Sequence, residues 1–346
     1  MSEVVHSRNG SDPGGGSPNP GRHVHVTGWG RYVPSQVLTN ADLERMVDTS
    51  DEWIRTRTGI RERRVAAAHE TTASMGAVAG LRAIRTAGLE PEDIDLILLA
   101  TLTPDYWMPA TAALVKEAIG NTKAAAFDVM AACSSFLYGL IVAEGLMATH
   151  SAETVLVVGT EKLSSIVDWQ DRSTAVLFGD GAGAAVLKRA RQGKGILSTF
   201  FRSDGALAEL LYRPTGGAAR PFDEVALQER SFYVKMEGRE VFKHAVRSMS
   251  EATDRALDGA KLTGADIDLL IPHQANVRII EATAKHAGIP MEKVFVNVDR
   301  YGNTSSASVA IALEEALQCG RIGAGSTVLL VAFGAGFTWA SVIIRF

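Results

Sequence analysis

Asp93-Ile94-Asp95-Leu96 recurs as Asp266-Ile267-Asp268-Leu269, and Thr154-Val155-Leu156 recurs as Thr327-Val328-Leu329, both at an offset of 173 residues. That offset is half of the 346-residue chain. Two unrelated short matches that share one displacement predict an internal duplication, and a duplication limits the fold more than any local signal does. By length alone the chain is worth about two domains. The repeat redraws that as one duplicated unit: a tail at 1–22, a first half at 23–190 and a second half at 191–346.

Each half alternates helix and strand. The first reads as helix Thr72–Gly88, strand IDLILLAT, helix Ala110–Ile119, strand AAAFDV, helix Ser135–Thr149 and strand TVLVVGT. The second reads as helix Val241–Lys261, strand IDLLIP, helix Ala275–His286, strand KVFVNV, helix Ser306–Gln318 and strand TVLLVAF. Short, almost uninterrupted apolar strands between amphipathic helices belong to sheets covered on both faces. The predicted class is therefore α/β, in five layers, α/β/α/β/α. Ile322–Ile344 runs 23 residues without a charge, long enough to suggest a membrane span. Its glycines and its β-rich flanks around FGAGF instead predict two buried strands joined by a tight turn.

Composition narrows the function. Hydrophobic residues at 46% and charged residues at 21% suit a large buried core and exclude a disordered or fibrous chain. The 35 basic and 39 acidic residues leave a net charge of −4, so no global field selects nucleic acid or an anionic membrane. Gly10–Gly21, GSDPGGGSPNPG, lacks material for a core, and the N-terminus lacks the pattern of a secretion signal. The two cysteines, Cys133 and Cys319, make neither a disulfide framework nor a paired thiolate metal site. A reducing, cytoplasmic setting is expected, with no metal.

Cys133 lies in FDVMAACSSFLYGL, where a strand ends near Val129, a small-residue elbow follows, and a helix begins at Ser134 or Ser135. Unpaired N–H groups at a helix N-terminus favour a thiolate. Most free cysteines only fill the core, so position alone leaves both readings open. His273 closes strand IDLLIP, and Asn303 follows strand KVFVNV in RYGNTSSAS. Both belong at the C-terminal edge of strands, where ligand sites of open α/β sheets lie. Cys319, at the end of a helix, is read as packing only. FGDGAGAAVL, beginning at Phe178, has the texture of a dinucleotide loop, but a strand follows it and no acidic ribose ligand does. It is read as a turn whose close backbone packing requires Gly.

Together these segments resemble β-ketoacyl-acyl carrier protein synthase III, of the thiolase superfamily. The resemblance runs over nearly all of Val24–Phe346 and rests on NADLERMVDTSDEWIRTRTGIRER, the Cys133 elbow, FGDGAGAAVL, PHQAN, GNTSSAS and AFGAGFTW. It implies catalysis by Cys133, His273 and Asn303, with an oxyanion hole from the backbone of Cys133 and of the Gly334-Ala335-Gly336 turn. It implies CoA contacts at Trp53, Arg57 and Arg172, and an acyl pocket touched by Phe178 and by Met108, the latter closing a partner subunit's pocket. Carrier-protein contacts fall on Lys243, Arg278 and Gln274. Acyl-CoA and malonyl-acyl carrier protein are the implied substrates, with no further cofactor, and a homodimer is expected. Ser134 and Ser135 stand where many relatives have Ala-Gly and are expected to cap the helix. The arginines of RTRTGIRERR are expected mostly on a solvated or dimer-facing surface. Cys-His-Asn in this order is shared with papain-like hydrolases, whose local thiol sequence is missing here. The rival readings are a specialised-metabolism relative using CoA-bound partners and a non-catalytic acyl-binding scaffold.

Overall fold

The computed structural model describes residues 24–189 and 194–346. The sequence-predicted tail and the boundary between the halves lie outside the described residues. A five-stranded sheet has the order β1 (Val24–Tyr32), β5 (Gly181–Arg189), β4 (Thr154–Glu161), β2 (Leu96–Ala100), β3 (Ala125–Val129). A four-stranded sheet has the order β6 (Gly195–Ser203), β9 (Thr338–Arg345), β8 (Thr327–Gly334), β7 (Leu269–Pro272). The directions match: two antiparallel pairings, β1 with β5 and β5 with β4, then parallel β4 with β2. In the second sheet β6 with β9 and β9 with β8 are antiparallel, and β8 with β7 is parallel. The duplication read from the sequence is a duplication of topology.

The repeated tetrapeptide and tripeptide touch each other in both halves. Asp95 Oδ2 accepts from the Thr154 N–H at 2.9 Å, and Asp268 Oδ2 accepts from the Thr327 N–H at 2.8 Å. The same residues also pair through their backbones, at 3.0 and 2.9 Å. Each carboxylate thus satisfies the first donor of the neighbouring parallel strand, which would otherwise be an orphan.

The middle layer is α4 (Ser135–Ala148) and α7 (Ala307–Gln318), packed between the two sheets in one core. Outside the first sheet lie α2 (Thr72–Thr86) and α3 (Thr111–Ile119). Outside the second lie α5 (Gly238–Ala260) and α6 (Val277–His286). These are the five predicted layers. Close approach of α7 to β5, and of Tyr301 to the turn before β5, explains the glycines of the FGDGAGAAVL motif. A Cβ at Gly183 would sit 2.6 Å from the Ala310 Cβ, and one at Gly179 would sit 2.3 Å from the Tyr301 carbonyl oxygen. That motif is a packing device, as read.

Two expectations fail, and one general expectation has an exception. KVFVNV forms no strand and leaves only an isolated parallel bridge, Leu270 with Val294. Only the Phe295 N–H reaches β7, at 2.9 Å from Leu270 O, because the next free donors, Asn297 and Val298 N–H, turn to Gln274 Oε1. Arg63, in the run of arginines expected mostly on a solvated or dimer-facing surface, is an exception and is fully buried. Its guanidinium donates to Leu38 O, Asn40 Oδ1 and Val176 O, and burial lowers its pKa to about 10. Cys319, expected to pack, is exposed just past the end of α7.

Candidate active site

β3 ends at Val129, and the chain turns sharply before α4. Ala132 has φ +46°, in the left-handed region, which costs a residue with a Cβ about 1–2 kcal/mol. Local bonds hold this elbow. Ser135 Oγ accepts from the Ala131 N–H at 2.6 Å and lies 2.7 Å from the Ala132 carbonyl oxygen, to which it donates. Thr338 Oγ1 donates to Ala131 O at 2.7 Å, and Ser134 Oγ donates to Thr338 O at 3.1 Å. Neither serine caps α4 in the expected way, since Ser134 makes no capping bond. Instead they fasten the Cys133 elbow to itself and to β9. The turn after β8 closes from the other side: a Cβ at Gly334 would lie 2.5 Å from the Cys133 backbone nitrogen.

Cys133 therefore sits in a single turn of 3₁₀ helix leading into α4, where the sequence placed it. Its ionisation differs from the expectation. Burial pushes the thiol up to about 12, against the opposing pull of the Ser305 hydroxyl. Desolvation of the charge outweighs the helix terminus.

His273 directly follows β7, and its N–H donates to Val331 O at 2.7 Å. The ring is 5% exposed, and burial lowers its pKa to about 3, so it is neutral at physiological pH. Its Nδ1 lies 2.6 Å from Ser308 Oγ. Asn303 is clamped through its backbone: its N–H donates to Leu177 O at 2.8 Å, and its carbonyl accepts from Gly179 N–H at 3.0 Å. Its Oδ1 accepts from the Ser305 N–H at 2.8 Å, which leaves the Nδ2 amide as the free donor. Phe178 forms a parallel bridge with Asn303. Arg63 braces this clamp from below through Val176 O.

Cys133, His273 and Asn303 all line one cavity of about 520 Å³, with Phe178 and Gly334, Ala335 and Gly336 in the same wall. At the surface, the guanidiniums of Arg57 and Arg172 lie 4.9 and 4.8 Å from the centre of the Trp53 ring. This cluster, on the helix Asp51–Thr58, joins the cavity lining where Asn276 Nδ2 donates to Arg57 O at 3.0 Å.

Residues 127–205 match the family model 3-oxoacyl-[acyl-carrier-protein] synthase III, and residues 257–346 match the model of its C-terminal part. A beta-ketoacyl-[acyl-carrier-protein] synthase III of Symbiobacterium thermophilum is 55% identical over 324 residues, covering 94% of this chain and 98% of that protein. The chain belongs to the 3-oxoacyl-[acyl-carrier-protein] synthase III family. The crystal structure of 3-oxoacyl-[acyl-carrier-protein] synthase III from Aquifex aeolicus superposes with a TM-score of 0.86 at 49% identity, over 93% of this chain and 100% of that one. The priming beta-ketosynthase of the R1128 polyketide pathway superposes with a TM-score of 0.87 at 35% identity, over 96% and 99%.

Within this synthase III chain the predicted peripheral residues scatter. Gln274, expected to meet the carrier, is 1% exposed and saturated. It donates to Pro272 O and Phe295 O and accepts from Asn297 and Val298 N–H, so it braces the loop beyond β7 and cannot reach a docking surface. Lys243 is exposed and pairs with Glu240 at 2.7 Å, and Arg278 is exposed over the Phe242 ring. Met108 is 86% exposed and does not line the cavity of its own chain.

Sequence reasoning missed Glu161. This fully buried carboxylate at the end of β4 accepts from Thr103 Oγ1 at 2.6 Å, Thr101 Oγ1 at 3.1 Å and the Leu102 N–H. It also lies 2.7 Å from Ser306 Oγ in the other half, and burial raises its pKa. The one legible signal was an acidic residue closing an otherwise uncharged strand. Glu161 ties the Asn303–Ser306 loop to the first sheet.

Proposed function

We propose that this synthase III starts chain building by joining an acyl-CoA primer, acetyl-CoA or another short acyl-CoA, to malonyl-acyl carrier protein. The observation that carries the reading is one cavity lined by a buried thiol from the first half and two neutral nitrogen donors from the second.

In the first half-reaction the Cys133 sulfur attacks the thioester carbonyl of the primer. The carbonyl oxygen takes negative charge, to which the backbone N–H groups of Cys133 and the Gly334–Gly336 turn donate. Collapse breaks the carbon–sulfur bond to CoA, and the thiol proton leaves with the CoA sulfur. Because the resting thiol is protonated, deprotonation accompanies attack rather than preceding it.

In the second half-reaction malonyl-carrier loses CO₂, and the electron pair of the broken bond becomes an enolate. A neutral His273 and the Asn303 amide suit this charge as donors. The enolate carbon attacks the acyl-Cys133 carbonyl, and the tetrahedral adduct expels the Cys133 sulfur, which takes a proton from solvent. The products are 3-oxoacyl-carrier, CO₂ and free enzyme.

Trp53, Arg57 and Arg172 are assigned to the CoA nucleotide. A stacked adenine would replace one guanidinium over the Trp53 ring, exchanging one favourable ring contact for another. Lys243 and Arg278 are assigned to the acidic carrier. A homodimer is part of the proposal: Phe127 and Met130, on and after edge strand β3, are 41% and 65% exposed, and Trp107 and Met108 are 70% and 86% exposed. Pairing two copies along β3 would cover this apolar surface and bring Met108 to a neighbouring acyl pocket. No helix among the described residues is long and apolar enough to cross a membrane, and a cytoplasmic setting completes the reading.

The test is incubation with labelled acetyl-CoA and malonyl-carrier. Wild type should acylate Cys133 and release labelled 3-oxoacyl-carrier, Cys133→Ala should do neither, and His273→Ala should acylate without condensing. Condensation at the wild-type rate by Cys133→Ala overturns the assignment. Condensation only with malonyl-CoA moves the protein to specialised metabolism. Light scattering at the monomer mass would refute the dimer.

A further inference from the structure

A neutral imidazole has one N–H and one lone pair, and its chemistry depends on which nitrogen carries which. Nδ1 of His273 lies 2.6 Å from the Ser308 hydroxyl, in the first turn of α7. Ser308 is 0% exposed, so its hydroxyl proton has no water to meet. Two arrangements satisfy the distance. If Nδ1–H donates to Ser308 Oγ, the buried serine proton is left without an acceptor, because the Ser308 side chain has no other hydrogen-bond partner among the described residues. If Ser308 O–H donates to Nδ1, every group is used and the ring proton resides on Nε2. An orphaned buried donor is the more costly error, so the second arrangement prevails.

We propose that Ser308 is a positioning residue that donates to His273 Nδ1 and thereby keeps Nε2–H as a hydrogen-bond donor in the cavity. This rests on the condensing role assigned to His273 above and gives it a direction. An Nε2–H ring stabilises the enolate oxygen and has no lone pair with which to take the Cys133 proton. Ser308 therefore serves the second half-reaction and not the first. The backbone bond from His273 N–H to Val331 O places the residue, and the serine sets its tautomer and ring rotation.

Two-bond ¹⁵N–¹H correlation spectra of histidine-labelled wild-type protein read the tautomer directly. The expected pattern shows His273 protonated at Nε2, with Nδ1 an acceptor, and a wild-type Nδ1–H pattern overturns the proposal. Ser308→Ala should load acetyl groups onto Cys133 within about twofold of wild type while condensation kcat with malonyl-carrier falls about tenfold. Ser308→Thr, which keeps the hydroxyl, should recover most of that loss. An unchanged condensation rate in Ser308→Ala, or an equal fall in both half-reactions, also overturns it. His273→Ala separates the two levels: if that variant condenses normally, the role of His273 itself is wrong rather than the role of Ser308.

Discussion

Gly334→Ala tests whether the glycine turn after β8 and the Cys133 elbow act as one unit. The new methyl carbon would lie 2.5 Å from the Cys133 nitrogen, 3.1 Å from the Cys133 Cβ and 3.2 Å from the Ala132 Cβ. Ordinary contact begins near 3.4 Å, so the turn and the elbow must separate by about 0.9 Å. The elbow cannot yield cheaply, because Ala132 already holds a left-handed conformation and Ser134, Ser135 and Thr338 pin it. A misplacement near 1 Å costs about 10²-fold in a reaction that depends on orientation. Overpacking also costs roughly 1–3 kcal/mol of stability. The assay is rapid-quench mass spectrometry of acyl-Cys133 formation from acetyl-CoA, with thermal unfolding run alongside. Acylation should slow by about two orders of magnitude while the variant stays folded. Gly145→Ala is the control: its site in α4 is exposed with nothing within 4 Å, and it should acylate normally and gain up to about 1 kcal/mol. Wild-type acylation by Gly334→Ala would refute the coupling.

Three further outcomes are expected. Alkylation of Cys133 by iodoacetamide should keep accelerating with pH beyond 9, since burial holds the thiol near 12, and a plateau below pH 9 contradicts this. His273, lowered to about 3 by burial, takes no proton in the native state as pH falls below 6.5, whereas the unfolded chain does. Stability should therefore decline with acidification by about 1.4 kcal/mol per pH unit from this group, and His273→Asn should lose that slope in urea titrations between pH 6.5 and 5. Trp53→Ala and Arg172→Ala should each raise KM for acyl-CoA about 5- to 30-fold with little change in kcat, and an unchanged KM removes them from the CoA site.

The layer order was legible because its signals are local or periodic. Asp95 and Asp268 recur with Thr154 and Thr327 since each pair must satisfy the same orphan donor, and the same 59-residue spacing in both halves left a readable repeat. Glycines at 179 and 183 were legible as packing for a similar reason: in a turn and the strand that follows it, a missing Cβ admits close backbone approach. KVFVNV was not legible, because its apolar alternation suits a strand and only Gln274, remote in sequence, diverts its donors. Arg63 stood in a run of arginines, and nothing nearby announced the three oxygens that bury it.

By itself, the order of residues determined the duplication, the α/β class, the elbow carrying Cys133 and the three side chains that meet in the cavity. The first three follow from spacing along one chain, and the side chains from the motifs that resemble a known family. Only the tertiary structure decided the ionisation of those groups and their partners. A helix terminus beside Cys133 predicts an activated thiol, yet desolvation depends on what surrounds the sulfur from every direction and holds it protonated. The partner of His273 likewise comes from helix α7, 35 residues away, and becomes a neighbour only when α7 is laid between the sheets.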